Sequence, residues 1–254
     1  MGSACLFDEQ GRINYALLRQ KAREIEESTD KVVLVVSGAI ALGKLREGEK
    51  RKNAELQAVE LQGYACVGQP ELMHFYRGLF TRGVSQVLVT TTDLQHQHHV
   101  RDLIQHNLQR HRVTVINYND GVDFEQLRKD NDTLAATILS YCGADRLLLL
   151  GHYDGFREGD HLVERVAIIN NELYALCQGK SEHGNGGFTT KLDAAKIVLS
   201  AGKEMIVGNI KYALDDLVQG KVPRTLFKWD GRDEKLNKKS QSQHKKYNND
   251  CISV

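Results

Sequence analysis

Short apolar runs that would be buried on both faces set the tightest limit on what this chain can become. Val32-Val33-Leu34-Val35-Val36 is one, and runs at 86–90, 113–116 and 146–150 match it. Each is too short for a helix and lacks polar alternation, so each predicts a strand covered on both sides. Weaker strand signals lie at 166–169 and 205–207. Between them, apolar residues recur at helical spacing, predicting helices at about 14–27, 54–80, 99–111, 131–141, 190–201 and 211–219. Alternation of this kind gives an α/β fold, a parallel sheet with helices on both faces. The 254 residues, 41% of them hydrophobic, suffice for one large core. At 228 the composition shifts to Lys, Asn, Gln, Ser and Asp. The expectation is one domain over 1–227 and a disordered polar tail over 228–254.

Charge and cysteine content exclude several classes. A formal net charge of +1 gives no field for a nucleic acid or an anionic membrane. No stretch approaches the roughly 18 apolar residues of a membrane helix. The first residues show no basic region followed by an apolar run. Cys5, Cys66, Cys142, Cys177 and Cys251 are odd in number, far apart and form no CxxC pair. Reduced thiols and a cytoplasmic location are therefore expected. His96, His98 and His99 cluster without zinc spacing and without a nearby cysteine, so a solvated loop is expected there and no metal-ligating residue is assigned.

Phosphate chemistry enters with Gly184-Asn185-Gly186-Gly187-Phe188-Thr189-Thr190-Lys191. Glycines let amide N–H groups converge on an anion, and a helix N-terminus adds partial positive charge at the same place. Lys191 brings a full charge. The plainer alternative is a surface loop leading into a hydroxyl-capped helix. Four more polar loops follow strands, where ligands bind in doubly wound sheets. Ser37-Gly38 follows the first, and Gly38 to Gly43-Lys44 has P-loop spacing but ends on Leu45 instead of Ser or Thr. Asn117-Tyr118-Asn119-Asp120 follows the 113–116 strand and reads equally as a turn or a ligand contact. Asp130-Asn131-Asp132-Thr133 opens a helix with more carboxylates than one cap needs, so Asp132 is available to orient a lysine or a metal ion. Gly151-His152-Tyr153-Asp154-Gly155 makes a tight turn.

In this order the segments resemble the amino-acid kinase family, and within it the glutamate 5-kinases. Further matches are Val67-Gly68-Gln69-Pro70-Glu71-Leu72-Met73, Asp93-Leu94 and Gly143-Ala144-Asp145, with Thr225-Leu226-Phe227 resembling the family's final strand. The resemblance covers about residues 2–227. It implies an α/β/α sandwich around a mostly parallel sheet, as in carbamate kinase. The implied reaction is ATP-dependent phosphorylation of the side-chain carboxylate of L-glutamate, the first step of proline biosynthesis, with Mg²⁺ as cofactor. Ser37, Asp120 and Asn131 are thereby assigned to glutamate. Gly2, Ser3, Gly151, His152 and the run Asn185, Gly186, Gly187, Phe188, Thr189, Thr190 and Lys191 are assigned to ATP. Lys191 and Asp132 are assigned to catalysis, Asp132 by holding lysine side chains. A homo-oligomer, dimer or tetramer, is implied as well.

The chain departs from that pattern in places. The family's first strand, followed by Lys-x-Gly-Ser, would lie before Met1, so the fold is expected without that strand and without that lysine. Gly151-His152 stands where Thr/Ser-Asp is usual, Tyr118 where Glu is common, and Arg224 where Gly is usual. Two alternatives stay open beside the kinase of glutamate: a catalytically impaired relative that binds a ligand or a partner, and a same-fold kinase for another acidic amino acid.

Overall fold

The computed structural model describes residues 2–28, 31–95, 97–123, 130–177 and 187–229. A 3₁₀ helix (Ser3–Leu6) comes first, then α1 (Tyr15–Glu27), β1 (Val33–Val35), α2 (Ala39–Glu47), a second 3₁₀ turn (Asn53–Glu55) and α3 (Ala58–Leu79). β2 (Val84–Val89), α4 (Thr91–Gln95), α5 (Gln97–Gln109), β3 (Val113–Tyr118), α6 (Asn131–Cys142) and β4 (Arg146–Gly151) follow. Next are the short strands β5 (Arg157–Glu158), β6 (His161–Leu162) and β7 (Arg165–Val166). The described chain ends with α7 (Asn171–Cys177), α8 (Gly187–Ser200), β8 (Glu204–Asn209), α9 (Leu214–Gln219) and β9 (Arg224–Phe227).

The principal strands form two sheets. β1 and β2 flank β3, both in parallel, with Val35 and Val87 each opposite Ile116. The second sheet runs β4-β8-β9-β7, parallel except for the antiparallel β8–β9 pair. β5 and β6 make a separate antiparallel hairpin. Residues alternate faces along β3. Val113 and Val115 join the core under α1, α2 and α3, while Ile116 and Tyr118 join the core under α5 and α6. The second sheet is covered by α6, α7 and α8 on one face, and by the first 3₁₀ helix, α1 and α9 on the other. The architecture is thus the α/β/α sandwich expected. Among the described residues the first element is the Ser3–Leu6 turn, packed at β4 through a Cys5 Sγ–H to Leu150 carbonyl contact of 3.4 Å.

Several local choices fix the helices. Asn14 caps α1 by accepting from the Leu17 N–H (3.2 Å), and Leu18, Ala22 and Ile25 carry its apolar stripe inward. Lys21 is buried on the same face. Its ammonium is satisfied by Glu24 (2.9 Å) and the carbonyl of Tyr212 (2.6 Å), and Glu24 also accepts from the Leu214 N–H. That pair ties α1 to the segment before α9, and its satisfaction is what makes a buried ammonium tolerable. α2 and α3 cross at two glycines. A Cβ on Gly43 would lie 1.9 Å from the carbonyl oxygen of Tyr64, and one on Gly68 would lie 1.8 Å from that of Ala39. The spacing read as a near P-loop is therefore a helix crossing. The Lys44 ammonium is spent on the Arg51 carbonyl and Asn53 Oδ1.

No described helix is long and apolar enough to cross a membrane. β9 ends at Phe227, and the expected tail from 230 onward lies outside the described residues.

The crossing yields a direct test. Gly68→Ala forces backbone apart and is expected to cost about 3 kcal/mol or more in urea unfolding. Gly63→Ala, on the open side of the same helix, is expected to gain up to about 1 kcal/mol from helix propensity. Equal effects at the two positions would contradict the packing account.

Candidate active site

The two residues that open α6 reach in different directions. Asp130 is the cap, its Oδ1 accepting the backbone N–H groups of Asp132 and Thr133 (both 2.9 Å). Asn131 turns toward the first sheet, where its Nδ2 donates to the Val36 carbonyl (3.0 Å) and to Asn117 Oδ1 (3.4 Å). Asn117 donates in turn to Gln69 Oε1 on α3 (3.0 Å). Asp132 turns toward α8, where its Oδ2 accepts from Lys191 Nζ (3.0 Å) and Thr190 Oγ1 (3.1 Å). One helix N-terminus thus joins two clusters.

The first cluster is a set of amides with spare capacity. Gln69 Nε2 and Asn131 Oδ1 are both buried and have no partner among the described residues. A buried orphan donor or acceptor costs roughly 1–3 kcal/mol, so a polar ligand that satisfies both gains on binding. Ser37 is half-buried beside them, between Val36 and Gly38. Gly38 caps α2 with φ 119° and no side-chain bond, which leaves the first N–H groups of that helix for other acceptors.

Asp120 lies on the loop after β3. That loop is fastened to α3, where Gln62 donates to the Gly121 carbonyl (3.4 Å). A Cβ on Gly121 would meet Cys66 Sγ at 2.6 Å. Gln62, Cys66 and Gln69 lie along one stripe of α3 and form the wall of this cluster. Burial, and then the charge of Asp123, push the Asp120 carboxyl up to about 6. A carboxylate in that setting favours a cationic partner.

The second cluster surrounds Lys191. Its side chain is only 14% exposed. Phe188, one turn earlier on α8, packs against Tyr153 and Phe156 with ring centroids 6.0 and 5.0 Å away. Gly151 closes β4 and is buried, whereas His152 is exposed at the turn. The turn is fastened to β9, since Thr225 Oγ1 accepts from the Phe156 N–H (2.7 Å). The carbonyl of Gly2 accepts from the Cys5 N–H (3.0 Å), and the Cys5–Leu150 contact sets that turn next to Gly151. Thr189 is exposed on the first turn of α8, which Gly187 begins. Of the expected site residues, Asn185 and Gly186 lie outside the described residues, as does the side chain of Ser3. Among the described residues no group of three potential ligands could hold a metal by itself.

A model of the amino acid kinase family matches residues 1–209. The chain belongs to the amino acid kinase family. Among curated relatives, a glutamate 5-kinase of Clostridium perfringens is 31% identical over 253 residues, covering 89% of this chain and 93% of its own length. One from Clostridium acetobutylicum is 34% identical over 233 residues, covering 82% of this chain and 84% of its own length. The chain spans 61% of the length of another, from Pelagibacter ubique. Among solved structures, carbamate kinase from Giardia lamblia bound to AMP-PNP superposes with a TM-score of 0.61 at 15% identity, over 90% of this chain and 96% of that one. UMP kinase from Ureaplasma parvum gives 0.58 at 12%, over 89% and 96%. These two establish the fold alone.

Among the cluster residues not assigned from the sequence are Asn117, Gln69 and Tyr153. Asn117 and Gln69 stood in matching motifs without a role. Tyr153 had no signal beyond its place in the 151–155 turn, because an aromatic residue in a turn is ordinary.

Asp120 provides a test by pH. Its carboxyl titrates near 4 when unfolded and at about 6 when folded. The folded state therefore holds the proton more tightly, so ionised Asp120 costs stability above pH 6 and nothing below about pH 4. Asp120→Asn is expected to raise Tm by a few degrees at about pH 7.5, a gain that vanishes near pH 4. A pH-independent change in Tm would show that ionisation is not the cause.

Proposed function

We propose that this kinase transfers the γ-phosphoryl group of ATP to the side-chain carboxylate of L-glutamate, giving the acyl phosphate that begins proline biosynthesis. The observation that carries the reading is the divergence of Asn131 and Asp132 from one helix end, toward an amide cluster and toward a lysine. Phosphoryl transfer to an amino acid needs two such sites at a fixed separation. The curated relatives, glutamate 5-kinases at 31 and 34% identity over most of the chain, support the choice of substrate.

The roles follow from the chemistry of each group. Glutamate carries an ammonium and two carboxylates. Asp120 and Asn131 Oδ1 suit the ammonium, while Ser37 and Gln69 Nε2 offer donors to a carboxylate. Asn185 to Lys191 and the start of α8 would bind the phosphates, with Gly2, Ser3, Gly151 and His152 lining the nucleotide. Lys191 stabilises charge on the transferring oxygens, and Asp132 holds its ammonium in place. A Mg²⁺ ion carried in on the nucleotide's phosphates would neutralise charge there. A cytoplasmic protein acting as a dimer or tetramer fits this role.

The test is formation of hydroxylamine-trapped acyl phosphate from ATP with glutamate, aspartate or N-acetylglutamate. Glutamate is expected to be preferred. Lys191→Met is expected to lower kcat by about 10²–10³ or more. Turnover with aspartate or N-acetylglutamate alone would reassign the substrate. Binding of ATP and glutamate without turnover would favour the impaired relative, a reading to which the Gly151-His152 departure lends weight.

A further inference from the structure

Lys191 Nζ has a neighbour that the ion pair does not explain. It stands 5.0 Å from the ring centroid of Tyr153, on the ring's face, and 5.9 Å from that of Phe188. An ammonium over an aromatic face is attracted by the ring quadrupole, more strongly as water is excluded. With Asp132 Oδ2 at 3.0 Å on another side, a side chain with four rotatable bonds is held from two directions.

The ring reaches this place because of the residue two positions earlier. A Cβ on Gly151 would lie 2.2 Å from Tyr153 Cε1, 2.3 Å from Cζ and 2.6 Å from the hydroxyl oxygen. These are atoms of a rigid ring, and the ring is penned in. It packs edge-on to Phe188, which itself packs on Phe156, and Phe156 is 2% exposed with its N–H bound to Thr225. Any side chain at 151 therefore displaces Tyr153 as long as the backbone stays where β8 pairs it.

We propose that Tyr153 is a positioning residue for the Lys191 ammonium, and that it depends on the absence of a side chain at Gly151. The pair acts as one device, in which Gly151 makes room and the Tyr153 ring face holds the cation. The catalytic consequence rests on the kinase reading above, whereas the geometric consequence does not.

Both are tested on the full chain with Tyr153→Phe, Tyr153→Ile, Gly151→Ser and the double variant Gly151→Ser/Tyr153→Ile. The Lys191 Cε resonance is followed in protein labelled with ¹³C-lysine, assigned by its loss in Lys191→Met. Ring-face protons are displaced upfield. That displacement is expected in wild type and Tyr153→Phe, and is expected to be lost to the same extent in the other three. In the acyl-phosphate assay, Tyr153→Ile is expected to lower kcat about tenfold with KM for glutamate unchanged, and Tyr153→Phe to restore it. The double variant is expected to be no worse than either single one, since both remove the same contact. Additive losses, a Lys191 signal indifferent to Tyr153→Ile, or loss of the displacement in Tyr153→Phe would each overturn the proposal. If wild type makes no acyl phosphate, the kinase reading fails and the resonance still decides the positioning role.

Discussion

Most of this architecture depends on one helix touching two sheets. Leu134 and Ile138 of α6 pack into the core beneath β2 and β3, while Ala135, Ala136 and Leu139 pack into the core above β4 and β8. Successive residues of a helix point about 100° apart, so a helix with apolar residues around most of its circumference can only be a buried joint. That is why the middle of α6 is small and mostly apolar, and why the hydroxyls of Thr137 and Ser140 donate back to carbonyls of their own helix, those of Thr133 and Ala136. Val35 of β1 packs against both of these cores. The joint fixes how far the carboxyl ends of the two sheets stand from each other, and its N-terminus lies where they meet.

The site inherits its geometry from that joint. Asn131 and Asp132 are consecutive, yet one is held through its Nδ2 by Val36, just after β1, and by Asn117 of β3, and the other by α8. The two half-sites therefore cannot drift apart without breaking the Asp130 cap or sliding α6 through its cores. A transfer reaction that relies on positioning benefits from such rigidity. The free protein bears a cost in the orphaned amide atoms of Gln69 and Asn131 and in the raised carboxyl of Asp120. Polar groups preorganised for a ligand are commonly destabilising without it.

How much of this was legible in the sequence depended on what determined each feature. The runs at 113–116 and 146–150 were readable as strands because both faces are covered, so their apolar content is continuous. The structure extends them to Tyr118 and Gly151. Asn117 and Gly151 are polar or without a side chain, and they belong to the sheet by pairing with Leu88 and Asn209 rather than by hydrophobicity. α5 begins at Gln97, earlier than expected, because its first turn is polar and only Val100, Ile104 and Leu108 signal the buried face. α7 and the β5–β6 hairpin went unread. They are 7 and 2 plus 2 residues long, too short to show a period. The Gly38-to-Lys44 spacing carried a true signal of the wrong kind. Glycines placed for a close helix crossing look the same in a sequence as glycines placed for phosphate.

Gly151 shows the same ambiguity from the other side. Read by itself, a glycine where a hydroxyl residue is usual suggests a weaker hold on the nucleotide. Beside Tyr153 it has a physical cause, because the ring lies where the hydroxyl's carbon would be. Replacing a small polar side chain by a neighbour's aromatic face exchanges a hydrogen-bond donor for a cation-holding surface. The two are not equivalent. A donor would act on the ligand, whereas the ring acts on the lysine. Lys191 is then supported by an anion and by an aromatic face together. The anion alone would draw the ammonium toward Asp132 and away from an incoming phosphate, while the ring attracts without neutralising it. An ammonium shared between them keeps more of its charge, which in the proposed kinase role would act on the transferring group.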